Sequence, residues 1–398
     1  MEFNYYLRKI KDVNPGDYLS IFPMCAALLI NPFFGKKYKG AWAVCERQDE
    51  AKDNGYHFFK YMREKHPEIN CVYAIDKKCR DYRKVEKLGR IIQYGSVEHW
   101  LSYFNCRFLI SSQSYKPNGY LCTLFERLKL FRPEHVFLQH GITINKPDFL
   151  QASRRLSSVF IAGALPEYDF IRDEFGYPED AVIYTGFARF DALHQFKVKR
   201  NRILIMPTWR KWLTLQSEKH EDVSDNILNS EYIEKWREFL QSRDLEIIIK
   251  EYNLEVIFYP HPGMKGIIHP SMLTGKLVKY ANPNTVDLQQ LMRTSEMIIT
   301  DYSSVFFDMV YMKKPVLFYQ FDLEQFRKYH YAEGWFDYTD TAFGKSCKNS
   351  AELIKSLESV IEDKYAVSND FLSEHTKVFA LYDSDNCRRI FEALKDKS

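Results

Sequence analysis

An α/β protein built on parallel sheets is what this sequence predicts, and three observations carry the expectation. Short apolar runs with strand character recur along nearly the whole chain. Amphipathic stretches of helical period lie between them, and alternation at that spacing means crossover helices joining parallel strands. Finally, 398 residues exceed one ordinary core, so two domains of roughly 150–200 residues are expected.

Taken in order, the expected strands of the first half are Trp42–Cys45, Cys71–Ile75, Ile91–Tyr94, Phe108–Ile110, Val136–Gln139, Val159–Ile161 and Val182–Thr185. Helical stretches such as Gly55–Lys65, Val97–Phe104 and Glu167–Phe175 separate them. The second half offers Ile203–Met206, Val256–Tyr259, Leu277–Lys279, Met297–Thr300 and Val316–Tyr319. The basic stretch Gln195–Arg202 reads as the linker, dividing the chain into residues 1–195 and 196–398. A last helix is expected over Asp385–Lys395, capped by Asp383, Ser384 or Asp385 and packing back on the N-terminal domain.

Composition narrows the function. Hydrophobic content of 45% and charged content of 27% are those of a globular protein. A net charge of +3 is too mild for bulk nucleic-acid binding and suits anionic small molecules or an anionic membrane face. Aromatic content of 16% is high and favours stacking sites or an interfacial surface. The eight cysteines form no C-x-x-C pair and sit largely in apolar runs, as reduced core residues of a cytosolic protein do. The most apolar N-terminal stretch, Ile21–Ile30, is too short to span a bilayer, and no cleavable signal is evident.

Polar motifs fall where strands end. Val136–Gln139 leads into His140-Gly141, and Val182–Thr185 into Gly186, Arg189 and Asp191. Ile203–Met206 leads into Pro207-Thr208-Trp209-Arg210, and Val256–Tyr259 into Pro260-His261-Pro262-Gly263. Met297–Thr300 leads into Asp301-Tyr302-Ser303-Ser304 and a helix from Val305 to Tyr311, closed by Lys313-Lys314 at the negative end of its dipole and stopped by Pro315. Open α/β sheets bind ligands outside the carboxyl ends of their strands, so one cleft between two domains accounts for all five. Thr208, Arg210, His261, Ser303 and Ser304 are donors suited to phosphate oxygens, and the start of the Val305 helix is a natural anion site. His140 and His261 each follow a strand directly and can take a proton from an alcohol near neutral pH; His57, His66, His99, His220 and His330 read as structural. No His-x-x-x-His pair or strand-end carboxylate cluster suggests a metal. Asp383-Ser384-Asp385 is better explained as a helix cap, and neither a Walker loop nor Gly-x-Gly-x-x-Gly is present.

In order, these motifs resemble the CDP-glycerol glycerophosphotransferase family, enzymes that prime and polymerise teichoic acids and related capsule polymers. The resemblance runs from about Trp42 to Tyr338. His140-Gly141 is similar to the family's His-Gly-Thr loop, and Thr185-Gly186-Phe187-Ala188-Arg189-Phe190-Asp191 to its Thr-Gly-x-x-Arg-x-Asp turn. Pro207-Thr208-Trp209-Arg210, His261-Pro262 and Asp287-Leu288 through Ile299-Thr300-Asp301-Tyr302-Ser303-Ser304, Asp308 and Lys314-Pro315 match unchanged. Asp53-Asn54-Gly55 and Tyr73-Ala74-Ile75-Asp76 are fainter echoes. Ile142 and Ala188 depart from the usual Thr and Pro, both on the side expected for the acceptor.

The resemblance implies a GT-B fold: two Rossmann-like domains with parallel sheets facing an interdomain cleft, the nucleotide held mainly by the second. It implies a CDP-glycerol donor, or a related CDP-polyol such as CDP-ribitol, with no further cofactor. The acceptor is a lipid-linked glycan or polymer. His140 becomes the base for the acceptor hydroxyl. Arg210, His261, Ser303 and Ser304 neutralise the pyrophosphate, helped by the helix dipole. Asp308 hydrogen-bonds the ribose, and Gly141, Arg189, Asp191 and Asp301 complete the cleft. With no extra N-terminal domain, an enzyme adding one unit, or a capsule enzyme, is expected. Lipid-linked acceptors imply peripheral attachment to the cytoplasmic membrane face, through the amphipathic segment 121–132 (Leu121, Leu124, Phe125 and Leu128, with Arg127, Lys129 and Arg132) or through Phe22–Tyr38. Two rivals remain at this stage: a GT-B glycosyltransferase using a nucleotide sugar, and a non-enzymatic membrane-bound nucleotide-binding scaffold.

Overall fold

The structure, a computed structural model, describes residues 19–397 apart from 114–115, 132, 155–156, 214–228, 262–272 and 274. After helix α1 (Ile21–Phe34), the first half alternates β1 (Trp42–Cys45), α2 (Asn54–Lys65), β2 (Cys71–Ile75), α3 (Tyr82–Glu86), β3 (Ile91–Gln93), α4 (Val97–Asn105), β4 (Phe108–Ser111), α5 (Gly119–Arg127), β5 (Glu134–Phe137), β6 (Val159–Ala162), α6 (Leu165–Glu174) and β7 (Val182–Tyr184). A 3-10 helix over Ala188–His194 follows. The second half runs β8 (Arg202–Met206), α7 (Glu231–Leu240), α8 (Arg243–Glu251), β9 (Glu255–Phe258), β10 (Lys279–Tyr280), α9 (Leu288–Thr294), β11 (Met297–Thr300), α10 (Phe306–Tyr311), β12 (Val316–Tyr319), α11 (Leu323–Tyr329), β13 (Gly344–Cys347) and α12 to α14 (Ser350–Glu362, Asn369–Val378, Asn386–Asp396).

Two sheets result, one of seven strands in the order β3-β2-β1-β4-β5-β6-β7 and one of six in the order β10-β9-β8-β11-β12-β13. Every pairing in both is parallel. The central strands are buried on both faces because helices cover both sides, which is why they read as unbroken apolar runs. One apolar cluster continues from Trp42, Val44 and Phe108 of the first sheet to Leu204, Ile298 and Phe318 of the second.

The structure departs from the sequence expectations in particular ways. Strand β5 ends at Phe137 rather than Gln139, because Gln139 has φ +57° and cannot continue an extended ladder. Strand β13 has no apolar signature in the sequence because Gly-Lys-Ser-Cys is polar; it is an edge strand with only Cys347 buried. The last helix takes no side-chain cap from Asp383, Ser384 or Asp385. Asp191 caps it from a distance, its carboxylate accepting the Asn386 and Cys387 amides at 2.8 and 2.9 Å. Helix α14 thereby returns to the first sheet, where Phe391 lies 3.7 Å from the His66 ring and 5.8 Å from Trp42. Gly186, at φ +76°, sits where a Cβ would strike the Asn386 side chain. Lys314 does not serve the helix before it either. Buried, it donates to the carbonyls of Met292, Arg293 and Ser295 at 2.8, 2.9 and 2.6 Å, satisfying the C-terminal end of α9.

Burial also sets a pH limit. Desolvation pulls His99 down to about 3 and His375 to about 4, both below the ordinary imidazole value. On acidification below about pH 6.5 the unfolded chain takes up protons that these folded side chains refuse. Their contribution to stability is therefore whole above that pH and is lost as the pH falls towards 4. Melting temperature should decline through that window, and more gently in His99→Asn, whose amide oxygen can still accept the Gly95 N–H now held at 2.9 Å by Nδ1. Thermal melts in a pH series measure it.

Candidate active site

The carboxyl ends of the two sheets bring together five of the expected residues. His140 is exposed just beyond β5, and Gly141 beside it lies against the second half: a Cβ there would stand 3.1 Å from Ser304 Oγ. The absence of a side chain lets the His140 loop approach the serine turn. Ser303 and Ser304 are both partly exposed at the end of β11. His261, after β9, stacks on Trp209 with 6.2 Å between rings and 25° between planes. Burial first, and then the charges of His140 and Arg47, pull His261 down to about 4. His140 is thus near enough for its charge to act on His261, which is neutral at physiological pH. Pro262 and Gly263 of that motif lie outside the described residues, as does His220.

The loop that follows His140 is joined to the second half at two further points. Trp335 Nε1 donates to the Thr143 carbonyl at 2.8 Å, and Arg327 donates to Asn145 Oδ1 at 2.7 Å.

Other expected ligands are placed differently. Arg210 has no solvent exposure. Its Nε and Nη2 donate to the two Asp322 oxygens at 2.8 and 2.9 Å, its Nη1 donates to the Thr208 carbonyl at 2.8 Å, and Asp301 Oδ2 lies 2.9 Å from that same Nη1. Buried charges of this kind must be paired, so Arg210 organises the turn rather than gripping a phosphate. Asp301 is equally enclosed, and its Oδ1 accepts the amides of Thr208 and Tyr302 at 2.7 and 2.6 Å. Thr208 is 8% exposed, so little of it meets solvent.

Asp308, expected at the ribose, is 1% exposed and has both oxygens occupied. Arg189 donates to them in bidentate fashion at 2.9 and 2.7 Å, and Gln289 adds a bond at 2.9 Å. Arg189, 2% exposed, reaches Asp53 through Nη1 at 3.1 Å and lies over the rings of Phe187 and Phe190. Arg189 and Asp308 thus form a buried clamp between the halves, and Asp191 is the cap of α14 described above.

The helix after the serines is also less than expected. Helix α10 has six residues. Its first amides are already bonded: Phe306 N–H to the Ser303 carbonyl at 3.3 Å, Phe307 to Ser304 at 3.1 Å and Asp308 to Val305 at 3.1 Å. Those three amides, consumed by a tight turn, cannot cradle an anion, so any donors here come from the Ser303-Ser304 segment before the helix.

The comparisons with known proteins fit this geometry. Residues 26–396 match the family described as CDP-Glycerol:Poly(glycerophosphate) glycerophosphotransferase. The chain belongs to that family. The minor teichoic acid biosynthesis protein GgaB of Bacillus subtilis is 29% identical over 363 residues, covering 89% of this chain and 40% of that protein. A teichoic acid poly(glycerol phosphate) polymerase of the same organism is 23% identical, covering 79% of this chain and 43% of its own length. The chain therefore spans less than half of these two relatives. In fold it is similar to the wall teichoic acid polymerase TagF, with a TM-score of 0.64 and 14% identity over 96% of this chain and 98% of that one. One of the similar TagF structures was soaked with CDPG. A UDP-N-acetylglucosamine 2-epimerase of Listeria monocytogenes follows at TM-score 0.55 and 14% identity, covering 90% and 96%. The family and these neighbours share the GT-B-like arrangement of two parallel sheets.

Several contributors to this site carry no mark in the sequence. Gln139, Thr143 and Glu167 bond to one another on either side of the His140-Gly141 segment, and Trp335 and Arg327 hold its loop from the other half. Gln139 and Thr143 flank the His140-Gly141-Ile142 motif; the rest meet it through tertiary packing. Removing one partner of the clamp leaves a buried charge uncompensated, so Asp308→Ala should cost about 3–5 kcal/mol in urea unfolding.

Proposed function

We propose that this protein transfers glycerol phosphate from CDP-glycerol to a hydroxyl of a lipid-linked or polymeric glycan acceptor, releasing CMP, in teichoic acid or capsular polymer synthesis. The observation that carries the reading is the meeting of His140-Gly141 from one sheet with Ser304 and His261 from the other, in a chain of this family. The space between the two sets of strand ends is read as the donor cleft.

The chemistry follows from what is exposed there. The acceptor oxygen attacks the β-phosphorus of CDP-glycerol and forms the new P–O bond. The bond from that phosphorus to the CMP oxygen breaks, and the acceptor proton passes to His140. Ser303, Ser304 and the neutral His261 imidazole donate hydrogen bonds to the pyrophosphate as charge moves onto CMP. Arg189 and Arg210 are spent on carboxylates, so charge is stabilised by directed neutral donors and by positioning. His140→Ala should lower CMP release by about 10²–10⁴-fold while CDP-glycerol binding persists. Near-wild-type release by folded His140→Ala removes the residue from the mechanism. CDP-ribitol is the alternative donor, and nucleotide sugars are the donors of the rival glycosyltransferase; a panel of all three with product mass analysis separates them.

The same reading places the protein on an anionic membrane surface. Among the described residues no helix is long and apolar enough to cross a bilayer. Helix α1, with 14 residues, is about 21 Å long against a hydrocarbon core of about 30 Å. It buries Met24 and Ala27 and exposes Phe22, Leu29, Phe33 and Phe34 at 74, 77, 78 and 60%. Helix α5 adjoins it, Asn118 before α5 donating to Ser20 Oγ at 2.8 Å. The stripe expected on α5 is divided: Leu121 and Phe125 pack inward, while Leu124 and Leu128 are exposed at 50 and 58%. The side chain of Arg127 and all of Arg132 lie outside the described structure. Lys36, Lys37 and Lys39 flank the end of α1, as expected of a helix lying in a lipid interface. Flotation with anionic vesicles should carry the wild-type protein and release a Phe22→Glu, Phe33→Glu double variant. Wild-type protein that stays wholly soluble refutes the attachment.

A further inference from the structure

The chain leaves β5 through an uncommon conformation. Gln139 holds φ +57°, a left-handed position that side chains other than glycine rarely take, and the next residue is His140. Such backbone persists only where its surroundings over-determine it, and it concentrates at functional sites.

Here the surroundings act from three directions. Asn54, at the start of α2, donates its Nδ2 to the carbonyls of Leu138 and Gln139 at 3.1 and 2.8 Å. The Gln139 side chain, 1% exposed, donates Nε2 to the Ile161 carbonyl at 2.7 Å and to Glu167 Oε1 at 3.1 Å. Its Oε1 accepts the Thr143 hydroxyl at 2.7 Å. Glu167, with no exposure, accepts the Thr143 amide on Oε1 and the Gly163 amide on Oε2, the latter at 2.7 Å. The segment carrying His140-Gly141-Ile142 is thus pinned on its near side by Gln139 and on its far side by Thr143, and the two pins are bonded to each other. A buried polar network in which every member is satisfied confers one rigid geometry.

We infer that Gln139, Thr143 and Glu167 are positioning residues that hold the His140 imidazole against the reacting hydroxyl. The inference rests on the reading of His140 as the base, and it assigns no contact with substrate to the three. A loop relaxed by a fraction of an ångström keeps its fold and its donor site and loses the alignment that makes proton transfer fast.

Three variants and two readouts test it. Thr143→Val deletes the hydroxyl at nearly constant shape, Glu167→Gln removes one backbone acceptor, and Thr143→Ser keeps the hydroxyl. The first readout is steady-state kinetics with CDP-glycerol as donor. The second is the ring Cε1–Hε1 magnetic resonance signal of His140 in histidine-labelled protein, assigned by its loss in His140→Ala. Thr143→Val and Glu167→Gln are expected to lower kcat by up to about 10²-fold, with KM for CDP-glycerol within about two-fold of wild type. The His140 signal should shift or broaden in both, and Thr143→Ser should restore signal and rate. If Glu167→Gln fails to fold, Thr143→Val alone decides. An unmoved signal in Thr143→Val overturns the inference, and so does a moved signal with undiminished kcat. Should His140→Ala keep full turnover, the base assignment falls by itself, and the resonance then decides whether the brace exists.

Discussion

A single guanidinium ties the molecule together. Arg189 leaves the first sheet, is almost wholly removed from water, and is held by Asp308 of the second half and Asp53 of its own. A charge so enclosed must be matched by carboxylates, and the match fixes where those carboxylates sit. Asp53 precedes Asn54, which accepts the Arg189 amide at 3.0 Å and holds the carbonyls just before His140. Asp308 lies on the short helix that begins beyond Ser303 and Ser304. The spacing between the histidine loop and the serine turn thus depends on this buried ion cluster, together with the bonds from Trp335 and Arg327 to the loop.

The same logic explains the division of labour among polar residues. Arg210 with Asp301 and Asp322, like Arg189 with Asp53 and Asp308, is an internal scaffold with little or no surface left to meet a ligand. Among the described residues of the strand-end motifs, those left outside such pairs include an exposed histidine, a neutral one stacked on Trp209, and two serines. Such a set suits phosphoryl transfer, in which the protein contributes alignment and directed donors more than covalent chemistry. Electrostatic rigidity around the site makes the alignment dependable, because paired buried charges have few alternative arrangements.

Much of the architecture was legible in the linear chain. The central strands β1, β2, β11 and β12 form with the bounds their apolar runs imply, since burial on both faces leaves an unbroken hydrophobic signal. The edge strand β13 left no such signal because its surroundings are half water. At the strand ends, the motifs mark turns that the structure brings together, while several of their charged side chains are buried in ion pairs. Arginine and aspartate at a strand end read as ligands, yet whether a charge faces a substrate or another charge depends on a partner more than a hundred residues distant, as with Arg189 and Asp308. The Asp191 cap on α14 was invisible for the same reason.

Periodicity, turn chemistry and the order of motifs therefore established the α/β class, the parallel strands and the family, because each is written in neighbouring residues. Which charged side chains are paired internally, how the segment carrying His140 is pinned and how the halves are joined came from contacts between segments far apart in the chain. Hydrogen bonds and ion pairs across such separations depend on where the backbone has travelled, and no local pattern of residues encodes that path.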